Sequence, residues 1–463
     1  MKHQRLLLVN PWIADFAAFD LWAKPVGLLS VAKYLMKFGY EIDFLDLTDR
    51  LKWNDPVDAK SRDGRGHYRK TILPKPEVLS HIPRRYGLYG ATREKFESAL
   101  DAIEQPDAIL LTSHMTYWYP GVEMTAAVLR ERFPGTPLIL GGIYTTLLPE
   151  HARQTIRPDY LVTGYGEKKA LTLLDSLFGI SRDELQLPEF DDSGELPWSL
   201  YSRLKSVAVL TSRGCPNRCS YCATRLLNPR FNQRKPEDVV FEIVDMHYRY
   251  DIRDFAFYDD ALFVNRDRHI IPILKGVVEH GVRARFHTPN GLFAREINPE
   301  LAELMKSAGF ETIRLSLESV APEIQHASSN KVDNAAFIRT MNVLENAGFR
   351  RNRIEVYLIA GLPEQTLEQA IDSVRFVADQ GAISRLAFFT PIPGTAEWEK
   401  ARRKGLVSDD TDPLLTNNSV FPFYSEPEWA EEFKRLVQFV NETNEKTRGQ
   451  THYQSEGSDD GND

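Results

Sequence analysis

Thr211-Ser-Arg-Gly-Cys215-Pro-Asn-Arg-Cys219-Ser-Tyr-Cys222 decides how the rest of this chain is read. It holds all three cysteines of a 463-residue sequence, which random placement would scatter. Spacings of four and then three residues let one loop turn several thiolates toward one point, as iron–sulfur and zinc sites require. Three thiolates leave one corner of a tetrahedral metal unfilled. On a [4Fe–4S] cluster they hold three irons and leave the fourth open to a substrate or cofactor. A zinc knuckle would need a histidine to complete it, and no His lies between His151 and His247. Three buried thiols without metal would need a core strand, and Pro216, Asn217, Arg218 and Ser220 make a poor one.

Outside the loop, 42% hydrophobic and 26% charged residues describe an ordinary globular protein with room for two or three domains. A net charge of -8 and a pI near 5.9 argue against a general nucleic-acid surface. The apolar run Leu6–Val9 is too short for a signal peptide and Pro11 follows at once. No window approaches the roughly 18 apolar residues of a membrane span. Clustered thiols suit a reducing compartment, and a cytoplasmic location is expected.

Toward the N-terminus, Arg5–Asn10 reads as a strand buried on both faces. A helix over about Gly27–Phe38 follows, and Glu41–Leu47 is the second strand. Asp107–Thr112, Pro137–Gly141 and Tyr160–Thr163 are further strands, separated by helical segments near Gly121–Phe133 and Glu167–Leu177. This alternation predicts a parallel, doubly wound, Rossmann-like sheet. Its ligand edge lies outside the carboxyl ends of the strands, where Thr112-Ser113-His114, Gly141-Gly142 and Thr163-Gly164-Tyr165-Gly166-Glu167 converge. A long insertion, roughly Arg50 to Thr92, is rich in Lys, Arg, Tyr and Pro. It is either a lid that pairs an anionic group or a solvated excursion.

On the other side of the loop, strands at Val207–Leu210, Phe255–Tyr258, Ala284–His287, Thr312–Leu317, Ile354–Ile359 and Ile383–Phe388 alternate with helices. They suggest a partial (β/α)6 TIM-like barrel, open on one side, with its chemistry at the carboxyl ends. Helices about Trp398–Lys404 and Trp429–Asn444 form a small helical region expected to cap the opening. The expected organisation is therefore a Rossmann-like domain over 1–180, a linker over 181–205, a barrel over 206–395, a helical region over 396–448 and a disordered tail over 449–463.

Cys215-x₃-Cys219-x₂-Cys222, with Tyr221 before the last cysteine, resembles the cluster loop of the radical S-adenosylmethionine (SAM) enzymes. The resemblance spans about Met1 to Lys400 and is firmest from Val207 to Thr395. It implies a [4Fe–4S] cluster on Cys215, Cys219 and Cys222, whose open iron chelates SAM through its amino and carboxylate groups. An electron from the cluster then cleaves SAM to methionine and a 5′-deoxyadenosyl radical. The family's SAM contacts fall on Tyr221, on Asp259 and Asp260 for the ammonium group, and on Ser316 and Glu318 for ribose or methionine. Ile359, Gly361 and Pro363 match its adenine-binding turn. Phe389-Thr-Pro391-Ile-Pro-Gly394 resembles the loop that closes the site, and His287-Thr-Pro-Asn290-Gly291 is a candidate substrate edge. Arg314 and Arg339 are both candidates for the SAM carboxylate.

The strand, Gly-Gly turn and Gly-x-Gly-Glu order is similar to the cobalamin-binding domain that precedes many radical SAM cores. Thr112, Ser113, Gly141, Gly142, Gly164 and Gly166 are then the cobalamin contacts. The Asp-x-His-x-x-Gly loop of other cobalamin proteins is missing, since neither Asp245-Met-His247 nor Asp267-Arg-His269 is followed by its glycine. His114 is either a lower ligand or a hydrogen-bonding loop residue. If cobalamin binds, the resemblance implies methylation of an unactivated carbon. An empty domain would leave rearrangement, cyclisation or oxidation, and a non-catalytic zinc or corrinoid-binding module is the rival from another class. With no further cysteine, an auxiliary cysteine-ligated cluster has no ligands. An electron donor such as flavodoxin or ferredoxin is implied as a partner, and a small molecule or peptide as substrate.

Overall fold

The computed structural model describes residues 4–54, 63–183, 186–328, 330–421 and 427–449. In the N-terminal half, β1 (Arg5–Asn10), β2 (Glu41–Asp46), β3 (Ala108–Leu111), β4 (Leu138–Leu140) and β5 (Tyr160–Leu161) form one sheet. Their order is β5-β4-β3-β1-β2 and every pairing is parallel. Alternation along β1 sends Leu7 and Val9 into a core with Trp12, Leu45 and Phe96. It sends Leu6 and Leu8 to the other face, against α1 (Val26–Lys37) and α2 (Glu167–Phe178). Burial on both faces is why these strands read as unbroken apolar runs. The strand order reverses between β1 and β3, which opens a crevice at the carboxyl edge.

The second sheet runs β6 (Ser206–Val209), β7 (Asp254–Phe257), β8 (Arg285–His287), β9 (Phe310–Glu318), β10 (Ile354–Ala360) and β11 (Ile383–Phe388) in sequence order, again parallel. One irregularity was not visible in the sequence. The register of β8 on β9 shifts between Phe286 and His287, and a short strand, Leu292–Phe293, takes over the pairing with Leu315 and Ser316. Gly291 is what allows it, because a Cβ there would lie 2.0 Å from Ser316 Oγ.

Much of the insertion is neither a bare lid nor a solvated excursion. Lys70–Ile72 and Gly87–Tyr89 form a three-stranded antiparallel sheet with Ile13–Asp15. Leu79, Ile82, Tyr86 and Leu88 join the core beneath β1. Residues 55–62 of the insertion lie outside the described residues, as does the stretch 450–463 read as a disordered tail.

The C-terminal region does more than cap. Leu414 and Val420 return to the core of the first sheet, and Asn417 Nδ2 donates to Asp15 at 2.9 Å. The helix α4 (Pro427–Gly449) packs against α3 (Leu367–Asp379) and β11. Asn444 accepts from the Ser384 amide and donates to the Ser384 carbonyl, both at 2.9 Å. Backbone groups on the free edge of the barrel are thereby masked.

The two sheets are pinned together by Trp22. Its fully buried indole stacks on His287 of β8 with ring centroids 4.0 Å apart. The Arg65 guanidinium lies 4.9 Å from the indole ring centroid, and the indole N–H donates to the Asp63 carbonyl. Nearby, Tyr258 donates to the Leu21 carbonyl at 2.6 Å. Tyr201 donates to Asp46 Oδ2 at 2.7 Å. No helix among the described residues is long and apolar enough to cross a membrane.

Candidate cofactor sites

The cysteine loop is built from its two ends inward. Asp259, at the end of β7, accepts from the Thr211 amide at 3.1 Å, the Thr211 hydroxyl at 2.8 Å and the Ser212 hydroxyl at 2.6 Å. These bonds fix where the chain leaves β6. Gly214 then turns with φ +79°, where a Cβ would lie 2.6 Å from the Arg230 carbonyl. On the far side the Ser220 amide donates to the Ala327 carbonyl at 3.0 Å, and the Ser220 hydroxyl to Glu397 at 2.7 Å. The Cys219 thiol donates to the Ser328 carbonyl at 3.3 Å.

None of the three cysteines is in a disulfide, and all line one cavity of about 320 Å³ over the carboxyl ends of the barrel strands. Cys215 and Cys219 are half-buried and Cys222 is exposed. Burial pushes the Cys215 thiol up to about 11. Among the described residues no group of three or more His, Cys, Asp and Glu is disposed to hold a metal ion, as a closed zinc knuckle would require. Three cysteines lining one cavity are the donor set that a [4Fe–4S] cluster with one open iron would use.

Asp260, Asn290, Ser316, Glu318, Lys331 and Tyr357 form much of the remaining wall. Burial, and then the charge of Asp259, pushes the Asp260 carboxyl up to about 6. Glu318 ends β9 with φ +67°, a left-handed conformation that a non-glycine residue adopts only under constraint. Its carboxylate meets Lys331 Nζ at 2.9 Å, and both side chains are about nine-tenths buried. Burial works against the lysine charge, but Glu318 and then Cys219 outweigh it and hold the ammonium above its ordinary pKa. The same ammonium lies 5.7 Å from the Tyr221 ring centroid and 5.6 Å from that of Phe293. The Tyr221 hydroxyl is buried beside the Glu318 carboxylate.

Seven of the residues singled out for cluster and SAM therefore share this cavity: Cys215, Cys219, Tyr221, Cys222, Asp260, Ser316 and Glu318. Six others do not line it. Asp259 is spent on Thr211 and Ser212, so it holds the loop while Asp260 faces the cavity. The turn containing Ile359, Gly361 and Pro363 closes on itself. Gln365 accepts from the Gly361 amide and donates to the Ile359 carbonyl, both at 2.9 Å, and the Pro363 carbonyl accepts from Lys404. Of the two arginines, Arg339 is exposed on the helix Asn334–Asn346. Arg314 is buried and bonded to Glu355 at 2.7 Å and to the Tyr357 hydroxyl at 2.9 Å. The cation in the cavity wall next to Glu318 is Lys331, which sequence reasoning missed because no motif surrounds it. His287 lies buried under Trp22, whereas Asn290 and Gly291 of the same loop reach the cavity.

A second pocket, of about 240 Å³, lies at the carboxyl edge of the first sheet. Thr112, Gly141, Gly142, Gly164 and Gly166 line it, together with Leu28 and Val31 of α1. A Cβ on Gly141 would come no nearer to the protein than 3.7 Å, at the Val162 carbonyl. A Cβ on Gly142, at φ +105°, would lie 2.2 Å from the Ser113 carbonyl. Gly141 thus leaves room for a ligand, and Gly142 leaves room for the protein's own backbone. Ser113 is buried and donates to the Gly141 carbonyl at 2.7 Å, which holds the turn without lining the pocket. His114 Nε2 bonds to Asn10 Oδ1 at 2.8 Å, and burial lowers its pKa. It is a hydrogen-bonding loop residue.

Arg213, Leu227 and Asn228 close the pocket from the side of the cysteine loop. Arg213 bonds to Glu167 at the start of α2 and to Asp192, both at 2.7 Å. One loop therefore borders both cavities.

Residues 209–377 match the family model described as the Radical SAM superfamily. The match takes in the cysteine loop and barrel strands β7 to β10, and the Rossmann-like domain that precedes them lies outside it. An uncharacterized methyltransferase of Pyrococcus horikoshii is 24% identical over 65% of this chain and 71% of its own length. The cytidylyl-2-hydroxyethylphosphonate methyltransferase of Streptomyces wedmorensis is 21% identical over 88% of this chain and 84% of its own. Among solved structures, the radical SAM methyltransferase TsrM from Kitasatospora setae superposes with a TM-score of 0.64 at 17% identity, over 87% of this chain and 76% of TsrM.

Proposed function

We propose that this chain is a cobalamin-dependent methyltransferase acting on carbon, with residues 206–395 serving the cluster and SAM and residues 1–180 serving the corrinoid. Cys215, Cys219 and Cys222 would hold the [4Fe–4S] cluster. When bound, cluster and SAM supply a 5′-deoxyadenosyl radical and cobalamin a methyl carrier. The side chains do the placing. Asp260 offers a carboxylate to an ammonium group and Lys331 an ammonium to a carboxylate, each by charge-assisted hydrogen bonds. Ser316 and the Tyr221 hydroxyl add neutral contacts, while Gly141 keeps the second pocket open for part of the corrinoid. The reductant is of the flavodoxin or ferredoxin kind and the setting is the cytoplasm.

One observation carries this reading: the loop that bears the three cysteines also walls the glycine-lined pocket, so two cofactors would meet across it. The relatives support it by their names, among them the bacteriochlorophyllide d C-12(1)-methyltransferase of Chlorobaculum tepidum, 24% identical over 59% of this chain. The room at Gly141 favours it over an empty first domain.

The test is anaerobic reconstitution with iron, sulfide and cobalamin. Wild-type protein is expected to retain corrin absorbance and to cleave SAM when reduced. Gly141→Leu should lose most of the corrin and keep its iron and SAM cleavage. Absence of retained corrin in the wild type would end the methyl-transfer reading.

A further inference from the structure

A third cavity, of about 1150 Å³, takes no part in the scheme above. It opens on the flank of the barrel, between β11 and α4 on one side and the 17–19 turn with its insertion on the other. Phe388 lines it, and the preceding residue of β11, Ala387, lines the cysteine cavity. Neighbours on a strand face opposite ways, so β11 stands between the two spaces.

Its walls differ in kind. Phe19, Tyr68, Tyr89 and Phe388 supply rings, and Phe19 stays 44% exposed although no solvent-facing role requires an aromatic there. Lys70 and Arg84 supply charge from the insertion, and neither makes an ion pair among the described residues. The Lys70 ammonium donates to the carbonyls of Phe16 at 3.0 Å and Arg85 at 3.1 Å, and lies 5.0 Å from the Tyr89 ring centroid. The Arg84 guanidinium lies 5.5 Å from the Phe16 ring centroid. Carbonyls and ring faces orient a cation without neutralising it, so both charges remain available to an anion. The carboxylates of the cavity, Glu442 and Glu445, stand on α4 across from them.

We propose that this flank cavity binds a flat apolar body bearing an anionic group that Lys70 and Arg84 hold. The body lies among the rings of Phe19, Tyr89 and Phe388. Binding there does not rest on the radical SAM reading. A neutral apolar guest would leave the two cations of that wall facing it unpaired.

The probe is 1-pyrenebutyrate, with its methyl ester as the uncharged control, titrated by fluorescence into the full chain. The acid is expected to bind the wild type about tenfold tighter than the ester, the size of one well-placed charge contact. That advantage should vanish in the double variant Lys70→Ala/Arg84→Ala, whose circular dichroism should match the wild type because both side chains are exposed. Val437→Trp, on the α4 wall, should weaken acid and ester alike. Equal binding of acid and ester by the wild type, or an advantage that survives the double variant, would overturn the proposal. SAM cleavage measured in parallel separates the two readings: its absence counts against the proposed function and leaves the probe result standing.

Discussion

Lys331 and Glu318 show how much of the cysteine cavity rests on one pair of charges. Each is nearly buried, and each is tolerated because the other is 2.9 Å away. Removing one leaves the other uncompensated, which is commonly worth about 3–5 kcal/mol. Lys331→Met is therefore expected to lower the stability of the metal-free protein by that order, and the double change Lys331→Met/Glu318→Met to recover most of it. Urea unfolding of the three forms decides, and a double variant no better than the single one would show that the pair is not what matters. The residues of this cavity were legible in unequal measure. The cysteines announced themselves by spacing. Of Asp259 and Asp260, neighbours on an extended chain point to opposite sides, so at most one could reach the cavity, and the sequence does not say which. Lys331 gains its meaning only when the turn after β9 brings it back over Glu318, a tertiary event that leaves no local pattern.

Elements were easier to read than contacts. The strands of both parallel sheets appeared as apolar runs because helices cover both faces, and the observed bounds fall within a residue or two of those expected. The insertion failed that reading for a physical reason. Its strands are two or three residues long, and Leu79, Ile82 and Leu88 are diluted among lysines, arginines and prolines, so no period emerges. α4 was visible as a helix, but its hold on β11 was not. Asn444→Ala deletes both bonds to Ser384 and is expected to cost about 1–3 kcal/mol. It should also release the Ser384 amide to hydrogen exchange ahead of its neighbours in β11, and unchanged protection at Ser384 would argue that packing alone holds the helix.

At the scale of the whole molecule, two sheets are coupled through Trp22 and its stack on His287. Truncating a fully buried tryptophan commonly costs about 3–5 kcal/mol, and here the loss falls on the joint between the halves. Trp22→Ala is expected to replace a single calorimetric transition of the metal-free protein with two, as each sheet melts on its own. One undivided transition, merely moved to lower temperature, would show that the other contacts suffice to keep the halves cooperative.

The same stack imposes a sequence of events on biosynthesis. Trp22 leaves the ribosome long before His287 has been made, so the nascent chain carries a bare indole until the third strand of the barrel arrives to seat it. Translation that stalled between the two would strand an adhesive ring on the nascent chain, and chaperone capture of such truncated products is the trace it would leave.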